Sequence, residues 1–375
     1  MFNLNEYLKD LEYIVGIESG RGCPDEQRLV AEFFKEKFDS LGWKTKLHDI
    51  GDVVGPMLSC TNKDTDHYDL MLIGHIDTVF PRGMLEKNPY RVDGDKIYGL
   101  GTADMKQGSL MMYYLMKDMD KEVLDKLSIA VIFNPDEEIG SVYSMPAYKE
   151  FAENSKYCYI YECSTLNGLK VIERKGSFGL VAEFFGVEGH SGYVFTNGAK
   201  SAIHEMAHWI VEFNKLHSKE NDTSVNAGVV NGGKAINIVA EYAKLDLGIR
   251  FFDPEIKEKI KKTLLSLEEH ARESGIKVTY QKNRFISPLI PTDEGRKYLE
   301  HAMEIGKTVD EKFHYVPQGG ISDSNQIAEF GPIIIDGFGP AGAEIHTENE
   351  HLYVNEVEKA FKVSEALITD LANSK

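Results

Sequence analysis

The sequence predicts an α/β protein, with a mixed sheet flanked by helices and an inserted α+β domain. Three observations support this fold class. Short apolar runs alternate with amphipathic helical segments towards both ends of the chain, whereas the middle of the chain has longer strands and helices. The length of 375 residues suits two domains, or at most three, at about 150 residues each.

The first part of the chain alternates between helical and strand-like segments. Apolar residues recur at helical spacing in residues 4–14 and 27–41, and Gly42 follows the second segment as a typical helix C-cap. Apolar runs at 70–73, 129–133 and 157–161 predict buried strands, with helices at 107–119 and 145–151. Such alternation predicts a sheet that is at least partly parallel and covered on both faces.

The pattern changes after about residue 174. Residues 178–187 and 243–252 predict longer strands, and 199–217 and 254–274 predict amphipathic helices. From residue 292 the chain returns to helices at 294–306, 324–330 and 355–372, with a strand at 333–335. We therefore predict one domain made of residues 1–175 and 284–375, interrupted by a second domain at 176–283.

The composition limits the classes of partner and compartment. The 42 Lys and Arg residues against 60 Asp and Glu give a net charge of −18, which disfavours nucleic acids and anionic membranes and favours cations. No basic segment followed by an apolar run opens the chain, and no apolar run could span a bilayer, so we expect a cytoplasmic protein. The four cysteines are too sparse for a disulfide framework, so a metal would need His and carboxylate ligands.

The first chemical motif is Gly-His-Ile-Asp-Thr-Val, directly after the apolar run at 70–73. Active sites of open α/β sheets lie beyond the carboxyl ends of the strands, where His75 and Asp77 fall. In an extended segment the two side chains point the same way, so Asp77 could orient a metal-bound His75. Taken alone, the His-x-Asp pattern favours an ordinary histidine at the end of a strand.

Five other acidic or histidine residues stand in similar places. Asp104 follows Tyr-Gly-Leu-Gly-Thr-Ala and precedes a helix, which it could simply cap. Glu137 and Glu138 follow the strand at 129–133, in a loop that could also be an ordinary acidic surface loop. Glu162 follows the strand at 157–161, and a distant His346 completes the set. Together these nitrogen and oxygen donors suit a pair of divalent metals, zinc first.

In this order the motifs resemble the co-catalytic zinc family of aminoacylases, acetylornithine and succinyl-diaminopimelate deacylases, and carboxypeptidase G-type glutamate carboxypeptidases. The resemblance covers essentially the whole chain and is carried by GHIDTV, YGLGTADMK, NPDEEIGS, YEC and EIH. It implies a zinc-peptidase-like fold and two zinc ions per chain, with cobalt or manganese as substitutes. The carboxypeptidase G branch is the most similar.

The resemblance also implies a role for each residue of the set. His75 and Glu162 would bind one zinc ion, Glu138 and His346 the other, and Asp104 would bridge both. Glu137 would be the general base, with Asp77 orienting His75.

The inserted domain would be a lid and dimerisation domain. Its His190 would stabilise the oxyanion, often in the partner subunit, while Asn237 and Arg250 would hold a substrate carboxylate. Taken alone, His190 suits a solvated loop and Arg250 a salt bridge at a strand end.

The implied function is hydrolysis of an amide bond next to a free carboxylate, which releases a C-terminal amino acid, with glutamate as one candidate. The alternative is an N-acyl amino acid deacylase or dipeptidase of the same family. The substrate would be a small peptide or N-acyl amino acid, and the protein a homodimer.

Some features bear on the substrate preference and on the class of protein. Gln107 and Cys163 stand where the family commonly has glycine and proline, which affects fine geometry but removes no ligand. Ser322 and Asp323 lie in another family-like stretch, where Asp323 either lines the pocket or caps a helix. A catalytically silent binding protein is disfavoured by Glu137 beside Glu138, and a nucleotide-dependent oxidoreductase by the absence of a phosphate-binding glycine pattern.

Overall fold

The computed structural model describes residues 2–282 and 285–375. The helices are α1 (Leu4–Val15), α2 (Pro24–Ser40), α3 (Lys106–Asp118), α4 (Lys121–Lys126), α5 (Met145–Glu153), α6 (Ala202–Asn214), α7 (Ile256–Ser274), α8 (Asp293–Val309), α9 (Asp323–Ala328) and α10 (Val357–Asn373). Short 3-10 turns lie at Glu137–Ile139, Ser191–Tyr193 and Val354–Glu356. None of the helices in the described ranges is both long and apolar enough to cross a membrane.

The strands of the first half are β1 (Lys44–His48), β2 (Met57–Thr61), β3 (Tyr68–His75), β4 (Arg91–Asp93), β5 (Lys96–Tyr98), β6 (Ile129–Asn134), β7 (Ser155–Ile160), β8 (Cys163–Ser164), β9 (Leu169–Arg174) and β10 (Gly176–Phe185). They are followed by β11 (Gly189–His190), β12 (Ser224–Gly232), β13 (Ile238–Val239), β14 (Tyr242–Phe251), β15 (Lys277–Lys282), β16 (His314–Gln318), β17 (Ile333–Asp336), β18 (Gly339–Ala343) and β19 (His351–Tyr353). The elements predicted from periodicity differ from these by a few residues at their ends.

The chain divides into two compact units. The first contains residues 1–173, 291–317 and 322–375, and the second contains 174–290 and 318–321. The first is built on an eight-stranded sheet with the order β1-β2-β6-β3-β7-β17-β9-β16. Helices flank this mixed sheet, as the predicted fold class requires. That one unit is catalytic and the other a lid stays a prediction.

The centre of the large sheet is parallel. β6, β3, β7 and β17 run in the same direction, and β2 and β9 pair antiparallel beside them. β3 and β6 are apolar and almost wholly buried, because helices cover both faces. The parallel arrangement brings the carboxyl ends of these strands to one edge, where His75 lies opposite Asn134. This edge is the setting of the acidic and histidine residues.

The second unit has a four-stranded antiparallel sheet with the order β12-β14-β10-β15. Burial alternates along β10 and β14, because one face packs on α6 and α7 and the other does not. Its cluster of buried side chains includes Phe178, Phe184 and Ile249 from the strands and Trp209 from α6. The unit thus has a hydrophobic core of its own.

Candidate metal centre

His75 and Asp104 form the middle of a buried acidic cluster at the carboxyl edge of the large sheet. His75 ends β3 and is 1% exposed, and Asp104 is 7% exposed. The His75 Nε2 atom lies 2.9 Å from Asp104 Oδ1. The Glu162 Oε1 atom, just beyond β7, lies 3.7 Å from the same nitrogen. One side of Asp104 therefore faces a histidine and a glutamate.

The other oxygen of Asp104 faces a second, matching pair. His346 Nε2 lies 2.9 Å from Asp104 Oδ2 and 3.5 Å from Glu138 Oε2. His346 has a φ of +65°, a backbone conformation that few non-glycine residues adopt. The five side chains predicted to be ligands thus lie together, two on each side of Asp104.

Asp104 reaches this position through a tight glycine loop. Gly99 and Gly101 both have positive φ, and a Cβ on Gly101 would lie 2.7 Å from Thr78. The helix that follows starts at Lys106 without any side-chain cap, so capping does not explain Asp104. Glu350 adds support, since its Oε1 accepts hydrogen bonds from the backbone N–H groups of Ala103 and Asp104.

Asp77 holds the loop that carries the two glutamates. Its Oδ1 accepts a hydrogen bond from the N–H of Glu137 at 3.2 Å, and its Oδ2 accepts one from Glu138 at 3.0 Å. The same carboxylate lies 3.4 Å from His75 Nδ1. Asp77 is 3% exposed. It therefore connects a candidate ligand on β3 to two candidate residues beyond β6.

Burial and close charges shift the pKa values of the cluster in opposite directions. Burial opposes ionisation of Asp104, but hydrogen bonds from His346 and His75 outweigh it and lower the pKa of this carboxyl. Hydrogen bonds to Asp104 and Glu138 raise the pKa of His346 to about 10. Burial raises the pKa of Glu137 well above its ordinary value, and Glu162 and Asp323 raise it further. The protonation of the Glu137 carboxylate thus depends on its burial and on the charges around it.

The donor set fits divalent metal ions. The ligand atoms of His75, Asp104 and Glu138 lie within 4.8 Å of one another, as do those of His75, Glu137 and Glu162. The Glu138 Oε1 atom is buried without a hydrogen-bond partner in the described part of the chain, so an acceptor is left for a cation. Imidazole nitrogens and carboxylate oxygens are donors that zinc accepts.

A cavity of about 620 Å³ lies beside the cluster in the same unit. Asp77 and Glu138 line it together with Arg21, Val53 and Tyr143. Its volume falls in the range of sites for small molecules, which are commonly about 300–1,000 Å³. A small substrate could therefore lie directly against the acidic cluster.

The three remaining predicted residues lie in the second unit and are exposed. His190 and Asn237 are neighbours, because β11 pairs with β13 and the Ser191 N–H donates to the Asn237 carbonyl oxygen at 3.0 Å. His190 Nδ1 accepts a hydrogen bond from Gly192. Arg250 is on β14, opposite Ser177 and Ser224. The pairing of β11 with β13 thus places His190 beside Asn237, which is 47 positions further along the chain.

Two buried carboxylates lie near the cluster: Glu350, which sequence reasoning missed, and Asp323, which was expected either to line the pocket or to cap a helix. Glu350 is 2% exposed and lies four residues after His346, a spacing that carries no signal. Asp323 does not cap α9, because Ser322 does so in a capping box with Asn325. The Asp323 carboxylate is instead directed at Asn134 and Ser141.

Gln107 is buried and donates to the Ala103 carbonyl oxygen.

Comparisons with known proteins agree with this architecture. Residues 71–370 match the family described as Peptidase family M20/M25/M40. Carboxypeptidase G2 from Pseudomonas sp. (strain RS-16) is 28% identical over 98% of this chain and 90% of its own. Succinyl-diaminopimelate desuccinylase from Hydrogenovibrio crunogenus is 27% identical, with 91% of each chain covered.

Solved structures show the same fold. Aminopeptidase PepT from Bacillus cereus has a TM-score of 0.81 and 24% identity, with 99% of each chain covered. The metallo-carboxypeptidase Sso-CP2 from Sulfolobus solfataricus has a TM-score of 0.74 and 16% identity, covering 98% of this chain and 99% of that one. Since the family match spans most of the sequence, this chain belongs to Peptidase family M20/M25/M40 and is a hydrolase.

Proposed function

We propose that this hydrolase uses two zinc ions to cleave an amide bond next to a free carboxylate, which releases a C-terminal amino acid. The observation that carries the proposal is the position of Asp104, whose two oxygens each lie 2.9 Å from a different imidazole. One carboxylate between two His–Glu pairs suits two ions that share a ligand. Carboxypeptidase G2, whose name indicates removal of a C-terminal residue, is similar over nearly the whole chain.

His75 and Glu162 would hold one ion, and Glu138 and His346 the other, with Asp104 shared. Bound zinc would supply Lewis acidity, polarising a carbonyl group and acidifying water. Cobalt or manganese would occupy the same donors.

Glu137 would act as the general base. Its carboxylate accepts a proton from water as the amide carbonyl is attacked, and then donates that proton to the leaving amine. Asp77 would keep His75 in position and fix the backbone of Glu137 and Glu138 through its hydrogen bonds. The burial that raises the pKa of Glu137 suits a group that must both accept and return a proton.

The second unit would act as the lid and dimerisation domain. His190 would donate a hydrogen bond to the oxyanion, in its own chain or in a partner subunit. Arg250 and Asn237 would bind the substrate carboxylate, for which the planar fork of arginine is suited. The Arg250 and Asn237 side chains are exposed and make no hydrogen bond or ion pair with other residues in the described ranges, so they are free for a ligand.

The test replaces Glu137 with Gln, which keeps the shape of the side chain and removes the base. The variant should retain two zinc ions per chain by metal analysis, while hydrolysis of N-acyl amino acids and dipeptides falls by about 10²–10⁴-fold. Undiminished hydrolysis would overturn the assignment. A panel with glutamate, aspartate, lysine or leucine at the C-terminus would identify the released amino acid and separate a carboxypeptidase from a deacylase or dipeptidase.

A further inference from the structure

Asp323 is a buried carboxylate that has no part in the proposed metal ligand set. It is the first residue of α9 and is 2% exposed, so its oxygens are almost completely removed from water. A carboxylate in such a place costs several kcal/mol unless protein donors replace the lost water. The residues that provide those donors indicate what Asp323 does.

The donors come from both ends of one loop. Asn134 Nδ2 lies 2.7 Å from Asp323 Oδ2 and 3.0 Å from Oδ1. The hydroxyl of Ser141 donates to Oδ1 and also accepts a hydrogen bond from Asn134 Nδ2 at 2.9 Å. The Tyr148 hydroxyl is a more distant donor at 3.5 Å. Asn134 and Ser141 are themselves 0% and 1% exposed.

The loop between these two donors carries Glu137 and Glu138. Asn134 is the last residue of β6, and its Oδ1 accepts a hydrogen bond from the Asp136 N–H at 3.1 Å. Ser141 has a φ of +53°, where the chain turns after the 3-10 segment. Asp323 therefore connects the point where the loop leaves the sheet to the point where it turns back.

Two carboxylates thus hold the loop from different directions. Asp77 accepts hydrogen bonds from the backbone at the centre of the loop, and Asp323 accepts them from the side chains at its ends. An active site that works on a small substrate needs its groups held within about 0.5 Å. Free movement of residues 134–141 would displace the proposed base and a proposed ligand together.

We propose that Asp323 is a positioning residue, which fixes Glu137 and Glu138 by holding Asn134 and Ser141 at the two ends of their loop. The inference rests on the proposed function, because it assigns Asp323 a role in the action of those glutamates. If Asp323 contributed only to stability, its replacement would destabilise the fold to the same extent but would leave the turnover of the folded enzyme unchanged.

The first arm of the test is Asp323→Asn, which places an amide NH₂ against the NH₂ of Asn134. In folded holoenzyme we expect kcat to fall by about 10–100-fold with KM changed by less than about threefold. Zinc affinity, measured by competition with a chromophoric chelator, should fall by about 10–100-fold, the usual result of losing an outer contact of a metal site.

The second arm reverses the polarity of the pair in the double variant Asn134→Asp with Asp323→Asn. The carboxylate introduced at position 134 can still accept from the Asp136 N–H, and the amide introduced at position 323 can donate to that carboxylate. We expect kcat and zinc affinity to return to within about fivefold of the original enzyme. Recovery of this kind is specific to the hydrogen bond, and general destabilisation would not produce it.

Asp69→Asn is the matched control. Asp69 also has three donors, from the Ser128 N–H, the Ser128 hydroxyl and Lys375, but it lies at the opposite end of β3 from His75. The length of the strand separates the two residues by about 20 Å. Asp69→Asn should lower the melting temperature and leave kcat within about twofold. If Asp323→Asn does not fold, Ser141→Gly removes one contact at a positive φ that glycine tolerates, and kcat should fall about tenfold.

The proposal is overturned if folded Asp323→Asn keeps the original kcat and zinc affinity, or if the double variant is no better than the single one. It is also overturned if Ser141→Gly is fully active where Asp323→Asn does not fold. Failure of the proposed function gives a different result, since Glu137→Gln would then hydrolyse substrate normally. The measurement of zinc affinity tests whether Asp323 positions Glu138, whether or not Glu137 proves to be the base.

Discussion

The residues that we assign to the site fall into two groups that the chain holds very differently. In the first unit, His75, Asp77 and Asp104 are 1–7% exposed and hydrogen-bonded to one another or to the neighbouring loop. In the second unit, His190, Asn237 and Arg250 are exposed. The His190 side chain accepts one hydrogen bond, from the Gly192 N–H, and the other two side chains make none with residues in the described ranges.

The two groups therefore suit different stages of a reaction. A cluster of acids around the buried imidazole of His75 is costly to assemble, so it is built in advance with outer carboxylates to support it, although His346 at its edge is half exposed. Exposed side chains cost little to hold, and they gain hydrogen bonds when a charged substrate arrives. We therefore expect substitutions of His75, Asp77 and Asp104 to affect metal binding and folding as well as turnover, and those in the second group to affect turnover and substrate binding alone.

The largest effect should come from removal of metal. Chelation should lower hydrolysis by at least about a thousandfold, because the interaction of a metal with the reacting oxygens is worth several kcal/mol. Zinc should restore it and release protons, since the imidazoles and carboxylates share protons when no cation binds.

Hydrogen exchange would show whether the effect of metal stays in the first unit. Chelation should speed amide exchange at the carboxyl ends of β3 and β6, and leave β10 and β14 unchanged. Equal acceleration of exchange in both units would contradict the assignment of the metal centre to the first unit. Full activity in protein shown by metal analysis to be metal-free would contradict the need for metal.

Much of this cluster could be predicted because each ligand follows a strand or a glycine turn. Apolar runs located β3, β6 and β7, and parallel strands bring their carboxyl ends to one edge. The supporting contacts could not be predicted in this way. Asp323 reaches Asn134 across 189 residues, and Glu350 reaches Ala103 across 247, with no local spacing to indicate either pair. The three-residue strands β4 and β5 are too short for periodicity to detect.

The next largest effect should come from His190→Ala. Loss of one donor to an oxyanion commonly lowers kcat by about 10²–10³-fold, and the exposed position should leave melting temperature and zinc content unchanged. His204→Ala, in an exposed residue of α6, is the control and should retain full activity.

Mixing tests whether His190 acts across a dimer. Heterodimers of a His190→Ala chain and a Glu137→Gln chain should recover part of the activity if each site takes its histidine from the partner. Verified heterodimers that stay inactive would place the action of His190 within its own chain. A His190→Ala variant that loses zinc would contradict the division into two groups.

Arg250→Lys should have a smaller and more selective effect. Lysine keeps the charge but cannot form two parallel hydrogen bonds, so kcat/KM for a substrate with a free carboxylate should fall about tenfold, mainly through KM. The same substrate with that carboxylate converted to an amide should be hydrolysed equally slowly by both enzymes. Arg272→Lys, which alters an exposed pair with Glu269 on α7, is the control. An equal loss on both substrates would argue against contact with the carboxylate.

The smallest effects concern stability, and they compare two asparagines directly. Asn134→Ala removes the amide that donates to both oxygens of the buried Asp323, so it should lower the free energy of unfolding by about 1–3 kcal/mol. Asn237→Ala removes an exposed side chain without hydrogen bonds in the described ranges, and the change should be within about 0.5 kcal/mol. Urea titration of metal-loaded protein, with hydrogen exchange to assign each loss to its unit, would measure both. If Asn237→Ala cost as much as Asn134→Ala, the second group would be part of a rigid framework, and its exposure could not be understood as readiness to bind substrate.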